Sequence, residues 1–213
     1  HPQQVSADAL ALYFSPKTRP ATYRVFFLHW RWKVPAEITD QYECIGFHLG
    51  SLPSERGGTP LQWRILSGKQ WASLTMYRLT QEVDAGPVYH IGSVHLDGSA
   101  EAIYHRAMGE AAALLTEWLA RPADPTPQEG TRVTYPRRTP EDAELPVPGV
   151  GDLEQTYDHI RALDAPGYPR AFDVLGGLRY EYRRAVYYGD RIEADVTITK
   201  ADAGAAGEAE GGE

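Results

Sequence analysis

Residues 47–60 read FHLGSLPSERGGTP and place a histidine, His48, directly before a loop rich in glycine and proline. A second loop, residues 82–87 with the sequence EVDAGP, supplies Asp84 36 positions later. A histidine can take or give a proton near neutral pH, and a neighbouring carboxylate fixes its tautomer. The pattern alone leaves two interpretations open: a shared site, or two unrelated polar residues.

Apolar runs around these loops alternate with helical patterns. His48 ends one predicted strand, and ligands bind beyond the carboxyl ends of strands in open α/β sheets. The run at 23–28 suits a strand buried on both faces. The predicted strands are 23–28, 44–48, 72–79 and 88–94, and the predicted helices are 5–14, 35–40, 59–66 and 99–119, the last with an apolar stripe of Ile103, Ala107, Ala111, Leu115 and Trp118.

A proline-rich break at 121–128 separates this pattern from a different one. The later part predicts a helix at 153–163 and a β-hairpin whose turn is Gly189-Asp190. Tyr180 and Tyr182 give the hairpin an aromatic face, which either packs on its own domain or forms a dimer contact. Residues 201–213 are too poor in apolar bulk to fold, so a disordered tail is predicted.

Composition excludes some classes of protein. With 213 residues and 42% hydrophobic residues, the chain can bury one sizeable core and a small annex. No apolar run approaches the roughly 20 residues that a membrane span requires. The single cysteine, Cys44, is predicted to be inert core and fits a reducing cytoplasm. A net charge of −8 argues against a broad phosphate-binding surface, so nucleic acid is a disfavoured partner.

Two ordered blocks of sequence carry a family resemblance. The first is Gly46-Phe47-His48, followed by Ser51-Leu52-Pro53, Arg56-Gly57-Gly58, Pro60, Gln62-Trp63 and Val83-Asp84-Ala85-Gly86. It resembles the signature of the folate-dependent formyltransferases, a family that acts on methionyl-tRNA, glycinamide ribonucleotide or nucleotide-linked amino sugars. The second block comprises residues 137–143, 160–163 and 168–172. It resembles the region after the catalytic domain in the sugar N-formyltransferases.

The resemblance implies an α/β fold with two parts. We expect a Rossmann-like formyltransferase catalytic domain, shortened at its N-terminus, at 1–120 and a linker at 121–135. A small α+β C-terminal subdomain containing the hairpin would follow at 136–200, with the tail at 201–213.

The resemblance also implies the site and its cosubstrate. His48 and Asp84 would be catalytic, with His48 polarising the formyl oxygen and Asp84 accepting the amine proton. The formyl donor N10-formyltetrahydrofolate would lie against Val34, Pro35, Leu79, Val83 and Gly86, and no metal is expected. The acceptor would contact Arg56, Gly57, Gly58, Gln62 and Trp63. Arg56 either steadies the substrate loop or forms a structural salt bridge, and Trp63 and Tyr77 either stack on the acceptor or pack in the core.

One departure from the family pattern concerns the third catalytic residue. The family motif reads Asn-x-His, and its Asn position falls on Gly46; the chain contains no asparagine at all. In the family this Asn donates a hydrogen bond to the developing oxyanion, and losing such a donor typically costs about a hundred- to a thousandfold in rate. His29 is the first candidate for a replacement and Gln62 the second. The other interpretation of His29 is a ring packed for structural reasons.

The expected activity is transfer of a formyl group to a small amine, with a nucleotide-linked amino sugar as the favoured acceptor and a homodimer as a possible assembly. Methionyl-tRNA is the less favoured acceptor. Two other classes stay open: a formyltetrahydrofolate hydrolase that passes the group to water, and a folate-binding relative with impaired catalysis.

Overall fold

The computed structural model describes residues 23–30, 32–146 and 152–201. The helix predicted at 5–14 and nearly all of the predicted tail lie outside these ranges. The chain divides into two compact units, one formed by residues 1–97 and 102–138 and the other by residues 98–101 and 139–213. The segment at 121–135, predicted as a linker, is therefore counted within the first unit.

The first unit contains a four-stranded mixed sheet and a two-stranded parallel ribbon. Its strands are β1 (Arg24–Phe27), β2 (Glu43–His48), β3 (Arg56–Gly57), β4 (Trp71–Arg78), β5 (Val88–His95) and β6 (Thr134–Tyr135). The main sheet has the order β1-β2-β4-β5, in which β1 runs parallel to β2 and the other pairs are antiparallel. Strands β3 and β6 form the ribbon, which the sequence did not predict.

Strand β1 corrects one expectation. Among the described strands it lies at one end of the main sheet, and of its four residues Arg24 is exposed and only Phe27 is buried, which differs from the strand buried on both faces that was predicted. Its apolar composition predicts a strand correctly but does not report how many neighbours the strand has. The more central β2 and β4 carry the buried runs, including Cys44, Ile45 and Met76.

In the described part of the first unit three helices flank the strands: α1 (Ala36–Thr39), α2 (Pro60–Leu66) and α3 (Ala100–Ala120). The predicted stripe of α3 is confirmed at Ile103, Ala107, Ala111 and Trp118, which are all buried. At the remaining position Leu114 is buried in place of Leu115. Cys44 packs with Phe27, Val34, Ile38 and Tyr42, and burial raises the pKa of its thiol to about 11. The thiol is therefore an inert core group near neutral pH.

The second unit is a helix on a three-stranded antiparallel sheet. Asp152 is the N-cap of helix α4 (Leu153–Leu163), and its carboxylate accepts the Gln155 backbone N–H at 2.7 Å. The strands are β7 (Ala171–Leu175), β8 (Leu178–Tyr187) and β9 (Ile192–Lys200), in the order β7-β8-β9. The predicted hairpin is β8–β9, whereas β7 was not predicted as a strand.

The aromatic face of the hairpin packs at least partly within its own unit. Tyr182 contacts a buried cluster formed by Ala143, Ile160, Leu163, Ala171 and Phe172.

In the described residues no helix is long and apolar enough to cross a membrane.

Candidate active site

His48 is the last residue of β2 and its ring is almost buried, with 8% exposed. The ring packs on Gly50, where an added Cβ would lie only 2.7 Å from Nε2. Nε2 lies 2.5 Å from the backbone carbonyl oxygen of Glu55. Because a carbonyl can only accept, Nε2 carries the proton and donates to it. The other ring nitrogen, Nδ1, then faces Asp84.

Asp84 lies in the loop between β4 and β5, with its side chain 11% exposed and its backbone at φ 53°. Its Oδ2 is 3.6 Å from His48 Nδ1. Oδ2 also accepts the Gly57 N–H at 2.9 Å, and Oδ1 accepts the Tyr77 hydroxyl at 2.7 Å. The structure thus brings the two residues predicted from the sequence together and fixes the carboxylate from two sides.

Gly57 holds this arrangement through its backbone. Its φ is 97°, and a Cβ there would lie 2.4 Å from the carbonyl oxygen of Tyr135 on the neighbouring strand β6. Only glycine fits both the angle and the approach. The Gly57 amide donates to the Asp84 carboxylate, and the predicted contact of Gly57 and Gly58 with the acceptor stays a prediction.

Hydrogen bonds of the half-buried Gln128 and the buried Arg56, here called the clamp, hold the Asp84 loop. Gln128 Nε2 donates to the backbone carbonyls of Asp84 at 2.9 Å and Gly86 at 2.7 Å. Gln128 Oε1 accepts from Arg56 at 2.6 Å and 3.1 Å, and Arg56 also donates to Glu82 at 3.3 Å. Burial lowers the pKa of Arg56, with the positive charge of Arg132 as the second cause and Asp84 opposing both.

The burial of Arg56, which is 7% exposed, and its bonds to Glu82 and Gln128 fit a structural salt bridge, and a contact of Arg56 with the acceptor stays a prediction. Sequence reasoning missed Gln128, which lies in the segment predicted as a linker. The only available signal was a glutamine within a proline-rich stretch, and nothing in that pattern indicates a partner more than forty residues away.

The space beside Gly46 is already filled. A Cβ at Gly46 would lie 2.6 Å from Cδ2 of Leu79 and 3.5 Å from Cε1 of Tyr77. Gly46 and His48 point to the same face of β2, since side chains alternate along a strand. The register pairs Gly46 with Tyr77 on β4. The volume that the motif asparagine would enter is therefore taken by Leu79 beside Tyr77.

Comparison with known proteins assigns this arrangement to a family. A methionyl-tRNA formyltransferase from Clostridium thermocellum is 33% identical and superposes with a TM-score of 0.83, over 94% of this chain and 85% of that one. The chain belongs to the folate-dependent formyltransferase family. Residues 140–199 separately match the family described as the methionyl-tRNA formyltransferase C-terminal domain.

Two further matched formyltransferases are less similar to this chain. The methionyl-tRNA formyltransferase of Bacillus licheniformis is 29% identical over 152 residues, which are 68% of this chain and 47% of that protein. The chain spans about half the length of the curated relatives it matches. A structure described as a likely sugar N-formyltransferase from Mycobacterium tuberculosis is 20% identical with a TM-score of 0.60, covering 72% of this chain and 68% of that one, a likeness of fold. These neighbours confirm the predicted Rossmann-like formyltransferase fold.

The formyltransferase residues predicted to line the donor site come from two segments that meet. Gln81 donates to the Val34 carbonyl at 3.4 Å and to the Thr39 hydroxyl at 2.7 Å. Val34 is buried and Leu79 half-buried, whereas Val83 is 59% exposed. At Gly86 a Cβ would lie 1.7 Å from the Arg78 carbonyl oxygen, so this turn also requires glycine. Pro35 immediately precedes α1.

The residues predicted to contact the acceptor are divided between core and surface. Gln62 is buried on α2. Trp63 donates to the Pro136 carbonyl at 3.1 Å and stacks on Tyr135, with ring centroids 6.0 Å apart. A Cβ at Gly58 would lie 2.6 Å from Cα of Arg137. Trp63 thus lies on the ribbon that carries Gly57.

The structure places His29 in the exposed turn after β1, at φ 50°. Its ring packs edge-on against Tyr104 of α3, with centroids 4.7 Å apart. This contact fits the structural interpretation, and a catalytic part for His29 stays a prediction. In the described part of the chain no group of three or more histidine, cysteine, aspartate or glutamate side chains could hold a metal ion.

Proposed function

We propose that the protein transfers the formyl group of N10-formyltetrahydrofolate to the primary amine of a small acceptor. The observation that supports this most directly is the enclosed His48–Asp84 pair, with Oδ2 3.6 Å from Nδ1 and the carboxylate held by Tyr77 and Gly57. An enclosed carboxylate of fixed orientation is suited to accept a proton from an attacking amine.

In the proposed reaction the amine nitrogen attacks the formyl carbon and a new C–N bond forms. Asp84 takes the proton that the amine releases, directly or through water. The tetrahedral intermediate then collapses, the bond between its carbon and N10 breaks, and N10 takes up the proton that Asp84 accepted. His48 Nε2 donates to the Glu55 carbonyl, so its use on the formyl oxygen requires that the loop at 51–55 releases this bond when the donor binds.

The residues of the donor segments fit a folate. The exposed Val83 and the half-buried Leu79 offer apolar surface beside backbone groups of the segment at 34–35. A flat heterocyclic ring needs such a surface together with a few polar backbone groups that set its orientation. In this reaction tetrahydrofolate would act only as the carrier whose N10 holds the formyl group before transfer.

A nucleotide-linked amino sugar is the acceptor that we favour. The chain carries a net charge of −8, and residues 139–201 contain seven basic against twelve acidic residues. Phosphate-backbone contacts from lysine and arginine dominate affinity for nucleic acid, so this balance disfavours tRNA. Methionyl-tRNA remains the second candidate because residues 140–199 match a methionyl-tRNA formyltransferase domain.

Incubation with N10-formyltetrahydrofolate and a panel of acceptors tests the proposal. The arms contain amino-sugar nucleotides, methionyl-tRNA, or no acceptor, with product mass and free formate as readouts. We expect a formylated product from an amino-sugar nucleotide. Product only from methionyl-tRNA would select the second candidate. Formate without any acceptor would identify a hydrolase, and folate binding with no turnover an impaired relative.

Asp84→Asn tests the proton acceptor. Because the amide cannot take up the amine proton, we expect kcat to fall by about a hundredfold or more. The matched control is Asp97→Asn, which changes the carboxylate of a second His–Asp pair, His95 with Asp97 at 2.9 Å, outside the proposed site. Turnover of Asp84→Asn close to that of the control would contradict the proposed proton path.

We further propose a cytoplasmic location, which the single buried cysteine supports.

We also propose that the protein forms a homodimer. The three-stranded sheet leaves Leu175, Val196 and Ile198 exposed, and such apolar side chains favour association. Sedimentation velocity measures the assembly.

A further inference from the structure

The site contains a buried hydroxyl group that takes no part in the proposed proton transfers. Tyr77 lies on β4 with 6% of its surface exposed. Its hydroxyl donates to Oδ1 of Asp84 at 2.7 Å, and its ring lies edge-on to the His48 ring with centroids 6.5 Å apart. Tyr77 therefore contacts both members of the pair.

The sheet register places Tyr77 beside Gly46. The two residues are direct partners across the antiparallel pair β2–β4, and His48 is paired with Thr75. Because partners share a face of the sheet, Tyr77, Gly46 and His48 all point to the same side. The phenol ring lies next to Gly46, with its Cε1 at an ordinary contact distance of 3.5 Å from the position of a Gly46 Cβ.

We propose that Tyr77 is a positioning residue for the proposed formyl transfer: its hydroxyl holds Oδ1 of Asp84 so that Oδ2 faces Nδ1 of His48. This inference rests on the proposed function. Tyr77 thus supplies a hydrogen-bond donor on the same face of β2 as Gly46, which has no side chain of its own. No proton leaves Tyr77 in this role.

Two further observations agree with this assignment. Each carboxylate oxygen has its own donor, the Tyr77 hydroxyl on Oδ1 and the Gly57 amide on Oδ2, so removing one donor lets the carboxylate rotate about the other. Burial raises the pKa of Tyr77 well above its usual range, and the charge and hydrogen bond of Asp84 raise it further. The phenol consequently keeps its proton through neutral and mildly alkaline pH.

Tyr77→Phe and Tyr89→Phe form a matched pair of variants. Tyr89, on β5, is likewise buried in the main sheet, and its hydroxyl also donates to a carboxylate. Its acceptor is Oε1 of Glu43, at 2.6 Å, and not Asp84. Each change removes one oxygen and one hydroxyl-to-carboxylate hydrogen bond. Thermal unfolding should therefore change by similar amounts in the two variants.

We expect kcat to fall about 10- to 100-fold in Tyr77→Phe, the range for losing a hydrogen bond to a charged group, and to be unchanged in Tyr89→Phe. The KM for the formyl donor should be unchanged in both. A purely structural role for Tyr77 would lower stability without separating kcat from KM. Equal kcat values in the two variants would overturn the proposal.

A second readout does not depend on turnover. The imidazole carbon-bound proton resonances of His48, followed by NMR, should move in Tyr77→Phe and stay in place in Tyr89→Phe. If wild-type protein turns over no acceptor, the proposed function fails while this comparison still tests the Tyr77 contact. Unmoved His48 resonances in Tyr77→Phe would overturn the positioning role even if the enzyme is active.

Discussion

At the scale of single residues, the candidate site depends on positions where no side chain fits. Gly46 faces Leu79, Gly50 lies under the His48 ring, and Gly57 approaches the Tyr135 carbonyl. Each glycine leaves space that another group of the site occupies. A motif search that looks only for reactive side chains passes over these positions.

Gly57→Ala should destabilise the protein and reduce turnover together. The added Cβ meets the Tyr135 carbonyl at 2.4 Å in a backbone at φ 97°, and we expect a loss of about 2–4 kcal/mol in the free energy of unfolding. Denaturant titration followed by tryptophan fluorescence measures this loss.

Gly130→Ala is the matched control for that change. Its φ is 111° and a Cβ there meets nothing within 4 Å, so it carries the backbone strain alone, about 1 kcal/mol. The difference between the two variants isolates the close approach to Tyr135. Equal losses would show that the approach to β6 does not require glycine.

At the scale of elements, the site is assembled by pairings between segments distant in the chain. The β3–β6 ribbon joins residues 56–57 to 134–135, and Gln128 joins the segment before β6 to the loop after β4. These contacts hold the Asp84 loop in its position relative to the ribbon. A segment that looks like a linker in the sequence thus supports the candidate site.

Gln128→Leu should lower kcat by about tenfold or more while the protein remains folded. The variant removes both donors to the Asp84 and Gly86 carbonyls and leaves the buried Arg56 without its amide partner, and each lost buried hydrogen bond costs about 1–3 kcal/mol. Steady-state kinetics and circular dichroism measure the two effects separately.

Gln128→Glu distinguishes the two halves of the clamp. The carboxylate can still accept from Arg56 but cannot donate to the two loop carbonyls. If turnover depends on the loop, Gln128→Glu should lose as much kcat as Gln128→Leu while retaining more stability. Retained turnover in Gln128→Glu would show that the bond to Arg56 matters and the loop bonds do not. Gln70→Leu, at an exposed position, serves as the control for the side-chain change itself.

At the scale of the whole molecule, the two compact units differ in the structural elements they contain and in the functions proposed for them. The first contains the His48–Asp84 pair and both predicted donor segments. The second contains the helix and three-stranded sheet that match the methionyl-tRNA formyltransferase C-terminal domain. Donor binding is therefore expected to be a property of the first unit.

Tetrahydrofolate should stabilise the protein and protect a limited part of it. Ligand at 100 times its dissociation constant adds about 2.7 kcal/mol to the free energy of unfolding. Hydrogen exchange should slow at the predicted donor segments, residues 34–36 and 79–86, and remain unchanged at 171–200. Mass spectrometry of peptic fragments measures the exchange, with 4-aminobenzoylglutamate, which lacks the pterin ring, as the control ligand. Protection confined to 171–200 would contradict the predicted donor site.

The amino-acid sequence by itself determined most of the local structure and the family. Apolar runs and their periodicity predicted β2, β4, β5 and α3, because side-chain period follows directly from backbone geometry, and the Gly189-Asp190 turn predicted the β8–β9 hairpin. The order of motif residues led to the formyltransferase family and to His48 and Asp84. It could not predict β3 and β6, which are two residues long and exist only through each other.

Only the tertiary structure decided how the candidate site is held together. The approach of Asp84 to His48, the donors Tyr77 and Gly57, the Gln128–Arg56 clamp and the filling of the Gly46 space by Leu79 all join residues far apart in the chain. Such contacts depend on strand order, register and loop height, which local sequence patterns do not encode. Sequence therefore predicted the candidate pair His48 and Asp84, and packing determined which residues support it.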